Sequence, residues 1–238
     1  MDTSGALRRA LELLIDPPES PDISRGYLDL LGAGNDAPKN AGFIQKLWAS
    51  PLGSLFYDNA QALGRRLMTA WQEPTEWLNI PPGGIALDVG SGPGNVTAAL
   101  ARAAGLDGVA LGVDISEPML ARAVAAEAGR QVGFLRADAQ QLPFRDGVFD
   151  AVMSIAVLQL VPDAEQALAE MVRVLRPGGR IAIMVPTATD RGPAKLLSRG
   201  GARFFSDDEL ADRFEELGLQ RVRSKSLGTM QWVRGQQP

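Results

Sequence analysis

The stretch Ile85–Val96, IALDVGSGPGNV, decides the fold that the rest of the sequence predicts. It begins with an apolar run that suits a strand buried on both faces. The run breaks at Gly90, Gly92 and Gly94, and a helical pattern follows from Asn95. Glycine lets the backbone turn tightly and approach a ligand closely, and a helix begins with free N–H groups. Strand, glycine turn and helix together predict a nucleotide-binding βα unit.

Two acids accompany this turn. Asp88 stands two residues before Gly90, and Asp114 ends the next apolar run. A dinucleotide-binding loop, G-x-G-x-x-G, would place its third glycine at Asn95 and would bind a pyrophosphate, which an acid in the strand repels. An acid followed by G-x-G-x-G instead resembles the class I S-adenosylmethionine-dependent methyltransferases, whose acid organises the loop around the ammonium and carboxylate of the methionine part. The resemblance implies that S-adenosylmethionine is the cofactor and that it is bound by the strand acid and the loop, namely Asp88, Gly90, Ser91, Gly92 and Gly94.

The amino-acid composition limits the kinds of partner and cofactor that are expected. The chain has 238 residues, of which 45% are hydrophobic, so an α/β domain with an accessory segment and a full core is expected. A net charge of −4 without a dense basic block argues against a polyanion as main partner, although a local patch is compatible with it. The chain contains no cysteine and no histidine, so no metal site is predicted and the commonest general base is missing. No apolar stretch is long enough to span a bilayer and no secretion signal is recognisable, so we expect a cytoplasmic protein without an integral membrane segment.

From residue 85 onward the pattern alternates between strand and helix, which predicts a parallel sheet. Strands are predicted over 85–89, 109–113, 132–136, 149–155 and 180–185, and an antiparallel pair over 221–226 and 229–233. Helices are predicted over 95–103, 118–128, 163–175 and 207–217. The resemblance, which covers about residues 85–217, implies a Rossmann-like α/β fold: a mostly parallel seven-stranded sheet with helices on both faces.

The first 80 residues predict an N-terminal helical cap ahead of a methyltransferase domain over 81–238. Residues 4–15 form an amphipathic pattern, and an arm packed on the domain is favoured over a lid or a membrane-touching segment. Residues 41–72 predict two helical pieces rich in aromatic residues, which suggests a substrate cap. Tyr57 is the candidate there for contact with the cofactor or the acceptor, and a buried core tyrosine is the alternative.

Four further cofactor contacts are predicted at or after the ends of the second and third strands. An acid at the end of a second strand, here Asp114, can accept both ribose hydroxyls of a nucleoside; the alternative is a helix-capping aspartate. Ile115 could pack on the adenine or belong to the core. Asp138, in the segment RADAQQLPF, resembles the family's acid that accepts the adenine amino group, with the Ala139 N–H serving a ring nitrogen. The alternative for Asp138 is a loop acid that caps a turn.

The predicted acceptor side lies at the end of the fourth strand. The segment 149–161, FDAVMSIAVLQLV, resembles the family's fourth strand, and Ser154 lies where this strand opens toward the methyl donor. The family often carries two adjacent histidines shortly afterwards, where this chain has Gln159 and Leu160. We therefore expect transfer to depend mainly on positioning, with Gln159 orienting the acceptor by a hydrogen bond; a surface position on a helix is the alternative.

Together these motifs predict methyl transfer from S-adenosylmethionine to a small, partly apolar acceptor, at oxygen or carbon. The likeness is greatest to the small-molecule branch that includes quinone and sterol methyltransferases. A protein or nucleic-acid acceptor is disfavoured, because no Asn-Pro-Pro-Tyr type motif follows the fourth strand, and no nucleic-acid partner is expected. A second hypothesis is a catalytically silent S-adenosylmethionine-binding regulatory or partner protein, which the missing histidines would also fit.

Overall fold

A computed structural model describes residues 4–32, 75–187, 203–228 and 230–238 of the chain. Within these ranges eight strands form a single sheet. In chain order they are β1 (Leu28–Asp29), β2 (Ile85–Val89), β3 (Val109–Asp114), β4 (Val132–Arg136), β5 (Phe149–Ile155), β6 (Leu175–Pro186), β7 (Gln220–Leu227) and β8 (Met230–Gln236). Their order across the sheet is β1-β4-β3-β2-β5-β6-β8-β7.

The sheet is mostly parallel, as the sequence predicts. Strands β1 to β6 pair in parallel, and β8 pairs antiparallel with both β6 and β7. The predicted number of seven strands needs one correction among the described residues, because β1 pairs with the outer edge of β4 as an eighth. Leu28 and Asp29 lie opposite Leu135 and Arg136. A strand of two residues is too short to produce a periodic pattern, which explains why the sequence did not reveal it.

Strand β6 begins earlier than predicted. Leu175 already lies opposite Phe149, and the register shifts before Arg180 pairs with Ala151. The Pro177–Gly179 segment, which precedes the predicted strand 180–185, is therefore an irregular part of the strand itself.

Five described helices cover the two faces of the sheet. They are α1 (Ser4–Leu13), α2 (Asn95–Ala104), α3 (Glu117–Glu127), α4 (Ala164–Arg173) and α5 (Glu209–Glu216). Buried residues of α2 and α3 share a cluster with Ala86 and Ala110. Those of α1, α4 and α5 share the opposite cluster with Leu87 and Leu111. Successive strand residues thus enter opposite layers, as the period of two requires, and each strand of the sheet centre is buried on both sides.

Helix α1 packs on the sheet, which confirms the prediction of an arm held against the domain. Ala6 and Ala10 are fully buried, and a Cβ on Gly133 of β4 would lie 3.1 Å from the Cβ of Ala6. After the helix, the Ile15 N–H donates to the Pro143 carbonyl over 2.9 Å. The division into a cap and a domain at residue 80 stays a prediction, and residues 41–72, including Tyr57, lie outside the described part of the chain. Within the described part, no helix is both long and apolar enough to cross a membrane.

Candidate active site

The candidate site lies at the carboxyl ends of the parallel strands. Strand β2 is in the middle, with β3 on one side and β5 on the other. The chain moves outward from β2 through β3 to β4 and then returns to β5, so strand order reverses between β2 and β5. Ligands of open α/β sheets bind in the crevice at such a switch point. The glycine loop follows β2 directly and is therefore at the expected place.

Glycine is needed at the three loop positions for different local reasons. All have positive φ, of 76°, 50° and 88° at Gly90, Gly92 and Gly94. A Cβ on Gly90 would lie 2.1 Å from Cγ2 of Val157, and one on Gly94 would lie 2.7 Å from Cζ of Phe134. At Gly92 a Cβ would meet nothing within 4 Å. The outer two glycines thus allow close packing inside the protein, whereas Gly92 leaves open space at the centre of the loop.

The loop is held by hydrogen bonds to β3. The N–H groups of Gly90 and Ser91 both donate to the Val113 carbonyl, over 2.8 and 3.0 Å. The Ser91 hydroxyl is buried and has no hydrogen-bond partner among the described residues. An unpaired buried hydroxyl is costly, and a ligand in the open space beside Gly92 could supply its partner.

Asp88 is buried beneath the loop, with 2% of its surface exposed. Its Oδ2 accepts a hydrogen bond of 2.6 Å from Oγ1 of Thr97, on α2. Burial raises the pKa of Asp88 to about 7; the Thr97 hydrogen bond opposes this rise, and the nearby Asp114 charge adds to it. A carboxylate with so little compensation is electrostatically suited to a cationic ligand group. Its contact with the methionine part of the cofactor remains a prediction.

Asp114 connects β3 to the glycine loop. Its Oδ2 accepts the Gly92 N–H and its Oδ1 accepts the Ser116 N–H, both over 2.8 Å. Burial raises the pKa of Asp114, while the hydrogen bonds from Ser116, Gly92 and Ile115 lower it. Each carboxylate oxygen has a second lone pair, so ribose hydroxyls could bind without displacing the loop. At this position Asp114 can hold the glycine loop and accept ribose hydroxyls at the same time.

Arg136, at the end of β4, is a positioning residue that sequence reasoning missed. Its Nε donates to the Ile115 carbonyl over 3.3 Å, and its Nη1 donates to the Gly32 carbonyl over 2.8 Å. The same guanidinium pairs with Asp29 at 3.3 Å and with Glu117 at 3.1 Å. It thus ties the edge strand β1 to the segment predicted to contact adenine. The sequence signal for this role is an arginine at the end of an otherwise apolar strand, and the structure shows that it is nearly buried.

Asp138 lies in the turn after β4, and its carboxylate contacts Gln140. It accepts the Gln140 N–H over 2.9 Å and Nε2 of the same residue over 3.1 Å at each oxygen. This is the turn-capping arrangement that the sequence left as an alternative. Oε1 of Gln140 in turn accepts the Asp163 N–H over 2.9 Å, so Gln140 joins the predicted adenine side to the start of α4. The predicted adenine contacts of Asp138 and Ala139 stay predictions.

The acceptor side begins where β5 ends. Ser154 is fully buried, and its hydroxyl donates to the Val89 carbonyl over 2.9 Å, which fastens β5 to the end of β2. Ala156 follows with φ of 55°, a left-handed conformation that is strained for a residue with a Cβ. Gln159 lies in the 3₁₀ turn Leu158–Leu160, and its Oε1 is buried without a partner among the described residues. An unsatisfied buried acceptor atom favours the acceptor-orienting hypothesis over a surface position.

Fold and site together define a Rossmann-like protein with a ligand crevice at its switch point. A family model described as a methyltransferase domain matches residues 87–183. The demethylmenaquinone methyltransferase of Bacillus cereus is 34% identical over 186 residues, covering 66% of this chain and 78% of that protein. The chain therefore belongs to the class I S-adenosylmethionine-dependent methyltransferases, and its cofactor is S-adenosylmethionine.

Solved structures agree on the fold. A chain of the Haloferax volcanii complex between the Trm112 methyltransferase activator and a methyltransferase superposes with a TM-score of 0.67 at 20% identity, covering 78% of this chain and 95% of that one. A SAM-dependent methyltransferase from Aquifex aeolicus gives a TM-score of 0.58 at 23% identity, covering 69% and 88%. These likenesses concern the fold alone.

The described residues fit this cofactor. Open space lies over Gly92, and the buried Ser91 hydroxyl lacks a partner among the described residues. Asp88 supplies a carboxylate beneath the loop, and Asp114 supplies one that accepts the Gly92 N–H. A molecule with a cationic methionine part and a ribose presents complementary groups to this set. The donor set of the site is thus suited to S-adenosylmethionine without any metal ligand.

Proposed function

We propose that this methyltransferase methylates a quinone-type acceptor, a small molecule with an apolar body. The observation that carries the proposal is the 34% identity to proteins named demethylmenaquinone methyltransferases, of which the chain covers 78%. The ligand crevice at the switch point is a feature of the family's fold. The whole chain contains no histidine, which agrees with an acceptor that needs little help from a general base. We place the transferred methyl on carbon rather than on a hydroxyl oxygen for this reason.

The chain's own residues hold the reactants. Asp88 would face the ammonium of the methionine part, the Gly92 region would allow close approach of the backbone, and Asp114 would accept the ribose hydroxyls. Asp138 and the Ala139 N–H are assigned to adenine. The cofactor supplies a methyl group already activated on a sulfonium.

Orientation of the acceptor is assigned to Gln159. Its Oε1 is buried and unpartnered among the described residues, so a hydroxyl of the acceptor would give it a hydrogen bond. Such a contact would hold the attacking carbon of the acceptor in a fixed orientation, and correct alignment can supply much of the rate acceleration. The acceptor carbon would gain the methyl group that the sulfonium gives up, and the proton lost from that carbon would go to solvent.

The test is methyl transfer from cofactor carrying a labelled methyl group to demethylmenaquinone, in its reduced and oxidised forms. We expect labelled product with the reduced form, since it is the better carbon nucleophile. Gln159→Leu should lower acceptor turnover at least tenfold while leaving the affinity for S-adenosylhomocysteine unchanged. Gln166→Leu, an exposed glutamine on α4, is the matched control and should retain full turnover. Transfer to neither form would refute the proposed acceptor, and equal turnover by both variants would refute the role of Gln159.

A further inference from the structure

The turn that follows β5 lies against the glycine loop that follows β2. We call residues 156–160 the acceptor turn and residues 90–94 the cofactor loop. Strands β2 and β5 are parallel neighbours, with Asp88 opposite Met153, so both segments leave the sheet at the same edge. The Ser154 hydroxyl donates to the Val89 carbonyl over 2.9 Å and joins the two strands near their ends. The acceptor turn and the cofactor loop therefore start next to each other.

Val157 occupies the space that Gly90 leaves free. A Cβ on Gly90 would lie 2.1 Å from Cγ2, 2.7 Å from Cγ1 and 2.9 Å from Cβ of Val157. Carbon atoms in ordinary contact are about 3.5–4.0 Å apart, so the methyl groups of Val157 lie directly on the Gly90 backbone. This contact requires a residue without a side chain on one side, and Val157 supplies a β-branched side chain on the other.

The backbone of the acceptor turn is strained immediately before this contact. Ala156 has φ of 55°, and its N–H donates to the Met184 carbonyl over 2.8 Å. Strained residues persist only where the surrounding structure holds them, and they cluster at functional sites. Ala156 stands between the last residue of β5 and Val157, so the strain lies where the chain is directed onto the cofactor loop.

Backbone hydrogen bonds make the acceptor turn one unit. The Leu160 N–H donates to the Val157 carbonyl over 2.8 Å and closes the 3₁₀ turn around Gln159. The Gln159 carbonyl in turn accepts the Arg203 N–H over 2.9 Å. A shift of Val157 would therefore also shift the backbone from which the Gln159 side chain projects.

The cofactor loop has its own supports on the side of β3. The N–H groups of Gly90 and Ser91 are both bound by the Val113 carbonyl, over 2.8 and 3.0 Å, and neither bond involves Val157. The loop can thus keep its shape when the methyl groups of Val157 are removed. The acceptor turn, by contrast, then loses its contact with the loop.

We propose that Val157 is a positioning residue that couples the acceptor turn to the cofactor loop. When a bound cofactor holds Gly90 still, the methyl groups of Val157 hold the turn and Gln159 in place, because close-packed atoms leave no room for one side to shift alone. The proposal deepens the proposed function and rests on its assignment of the acceptor to Gln159. Its physical content is that cofactor binding at the loop restrains the turn through one packed contact.

Hydrogen–deuterium exchange of the full chain, with and without S-adenosylhomocysteine, tests this coupling without any acceptor. The two reporters are the peptide that contains the cofactor loop and the peptide that contains the Leu160 amide of the acceptor turn. In the wild type S-adenosylhomocysteine should slow exchange in both peptides, and in the acceptor turn by at least about fivefold. In Val157→Ala it should slow exchange in the cofactor loop alone. Val157 is half-buried, so we expect the fold to survive this truncation.

Two variants serve as controls. Val157→Thr keeps both branches at Cβ and should show the protection of the wild type in both peptides. Val148→Ala removes the same two methyl groups from a half-buried valine just before β5 and should also keep protection in both. The melting temperature of each variant is measured, so that a general loss of stability is distinguished from a loss of coupling.

Protection of the acceptor turn that persists in Val157→Ala, is missing in the wild type, or is lost equally in Val148→Ala would overturn the proposal. Loss of protection in the cofactor loop of Val157→Ala would also overturn it, because Val157 would then support the cofactor site itself.

Turnover supplies a second measurement. With reduced demethylmenaquinone as acceptor, Val157→Ala should lower kcat about 10- to 100-fold, the cost of a small misplacement of reactants. The KM for the acceptor and the affinity for S-adenosylhomocysteine should stay unchanged, and an unchanged kcat would contradict the positioning role. If the wild type does not methylate demethylmenaquinone, the proposed acceptor is refuted while the exchange experiment still decides the coupling, so the two proposals fail separately.

Discussion

Replacing Asp88 with asparagine should stabilise the protein at alkaline pH and weaken its hold on the cofactor. The side chain is 2% exposed, and its Oδ2 accepts the Thr97 hydroxyl over 2.6 Å. Asparagine has nearly the same shape, and its amide oxygen can accept the same hydroxyl. The substitution therefore removes the buried charge with little change in packing.

The size of the stability effect follows from the shift in the pKa of the Asp88 carboxyl group. Burial raises the pKa of Asp88 to about 7, against about 4 in an unfolded chain. The folded state therefore binds more protons than the unfolded state between these values. The contribution of Asp88 to the unfolding free energy is therefore complete below pH 4, declines as pH rises through 7, and is absent above pH 7. Three pKa units correspond to about 4 kcal/mol, which is the upper limit of what Asp88→Asn can recover at pH 8.

Urea unfolding of both proteins between pH 4.5 and 8.5 measures the effect. The difference in unfolding free energy, variant minus wild type, should increase toward high pH and level off above pH 7. Calorimetry at pH 8 should show an affinity for S-adenosylhomocysteine reduced by about 10- to 100-fold, the value of a charge-assisted hydrogen bond. Asp150→Asn is the matched control: its carboxylate is also buried, but it accepts the Ile85 N–H over 2.8 Å and pairs with Arg176 at the far end of the strands.

That control should lose stability at pH 8 and keep its cofactor affinity. A pH-independent difference for Asp88→Asn would refute the raised pKa of this group. Unchanged affinity for S-adenosylhomocysteine would refute its place opposite the ammonium.

Three other changes test neighbouring parts of the site. Gln140→Leu removes the hydrogen bonds of this side chain to Asp138 and Asp163. It should lower the unfolding free energy by about 1–2 kcal/mol and weaken S-adenosylhomocysteine binding about tenfold by calorimetry. Gln141→Leu, at the exposed neighbouring position, should change neither quantity. Ala156→Gly should raise the unfolding free energy by up to about 1 kcal/mol, because relief of the left-handed strain exceeds the entropy cost of glycine; a loss in urea unfolding would contradict this. Asp114→Ala should weaken S-adenosylhomocysteine by about 2–4 kcal/mol, through lost ribose contacts and a loosened Gly92. A collapse of its melting temperature with unchanged affinity would instead identify a purely structural residue.

The sequence predicts the central elements closely because their signal is local. The bounds of β2, β4 and β5 coincide with the predicted ranges, since each is a short, nearly continuous apolar run buried on both faces. The loop after β2 was likewise predicted, because glycine spacing and the preceding acid lie within ten residues of each other. The family model's match, over residues 87–183, begins within this stretch.

Contacts between distant segments could not be read from the sequence. Gln140 reaches Asp163 across 23 positions, and Arg136 reaches Gly32 across 104. A polar side chain gives no periodic signal of its partner, so only the folded chain reveals these links. Ser154 illustrates the same limit: its position at the end of β5 was predicted, but its bond to the Val89 carbonyl depends on how two strands meet.

Environment, rather than residue type, separates the two acids of the site. Asp114 accepts two backbone N–H groups, which compensate part of the cost of burying its charge and hold Gly92 in place. Asp88 is fully buried and receives hydrogen bonds from Thr97 alone, and burial still raises its pKa to about 7, so its charge is poorly compensated. A carboxylate held by two backbone N–H groups, as in Asp114, is suited to fixing the geometry of the loop. A carboxylate whose buried charge is poorly compensated, as in Asp88, gains most from a cation that arrives with the ligand. The cost of the Asp88 charge in the free protein then becomes part of the affinity for a cationic methionine group. Cofactor binding should for this reason strengthen as pH rises toward 7, in wild type and not in Asp88→Asn, and a parallel pH dependence in the two proteins would show that the charge of Asp88 does not contribute to binding.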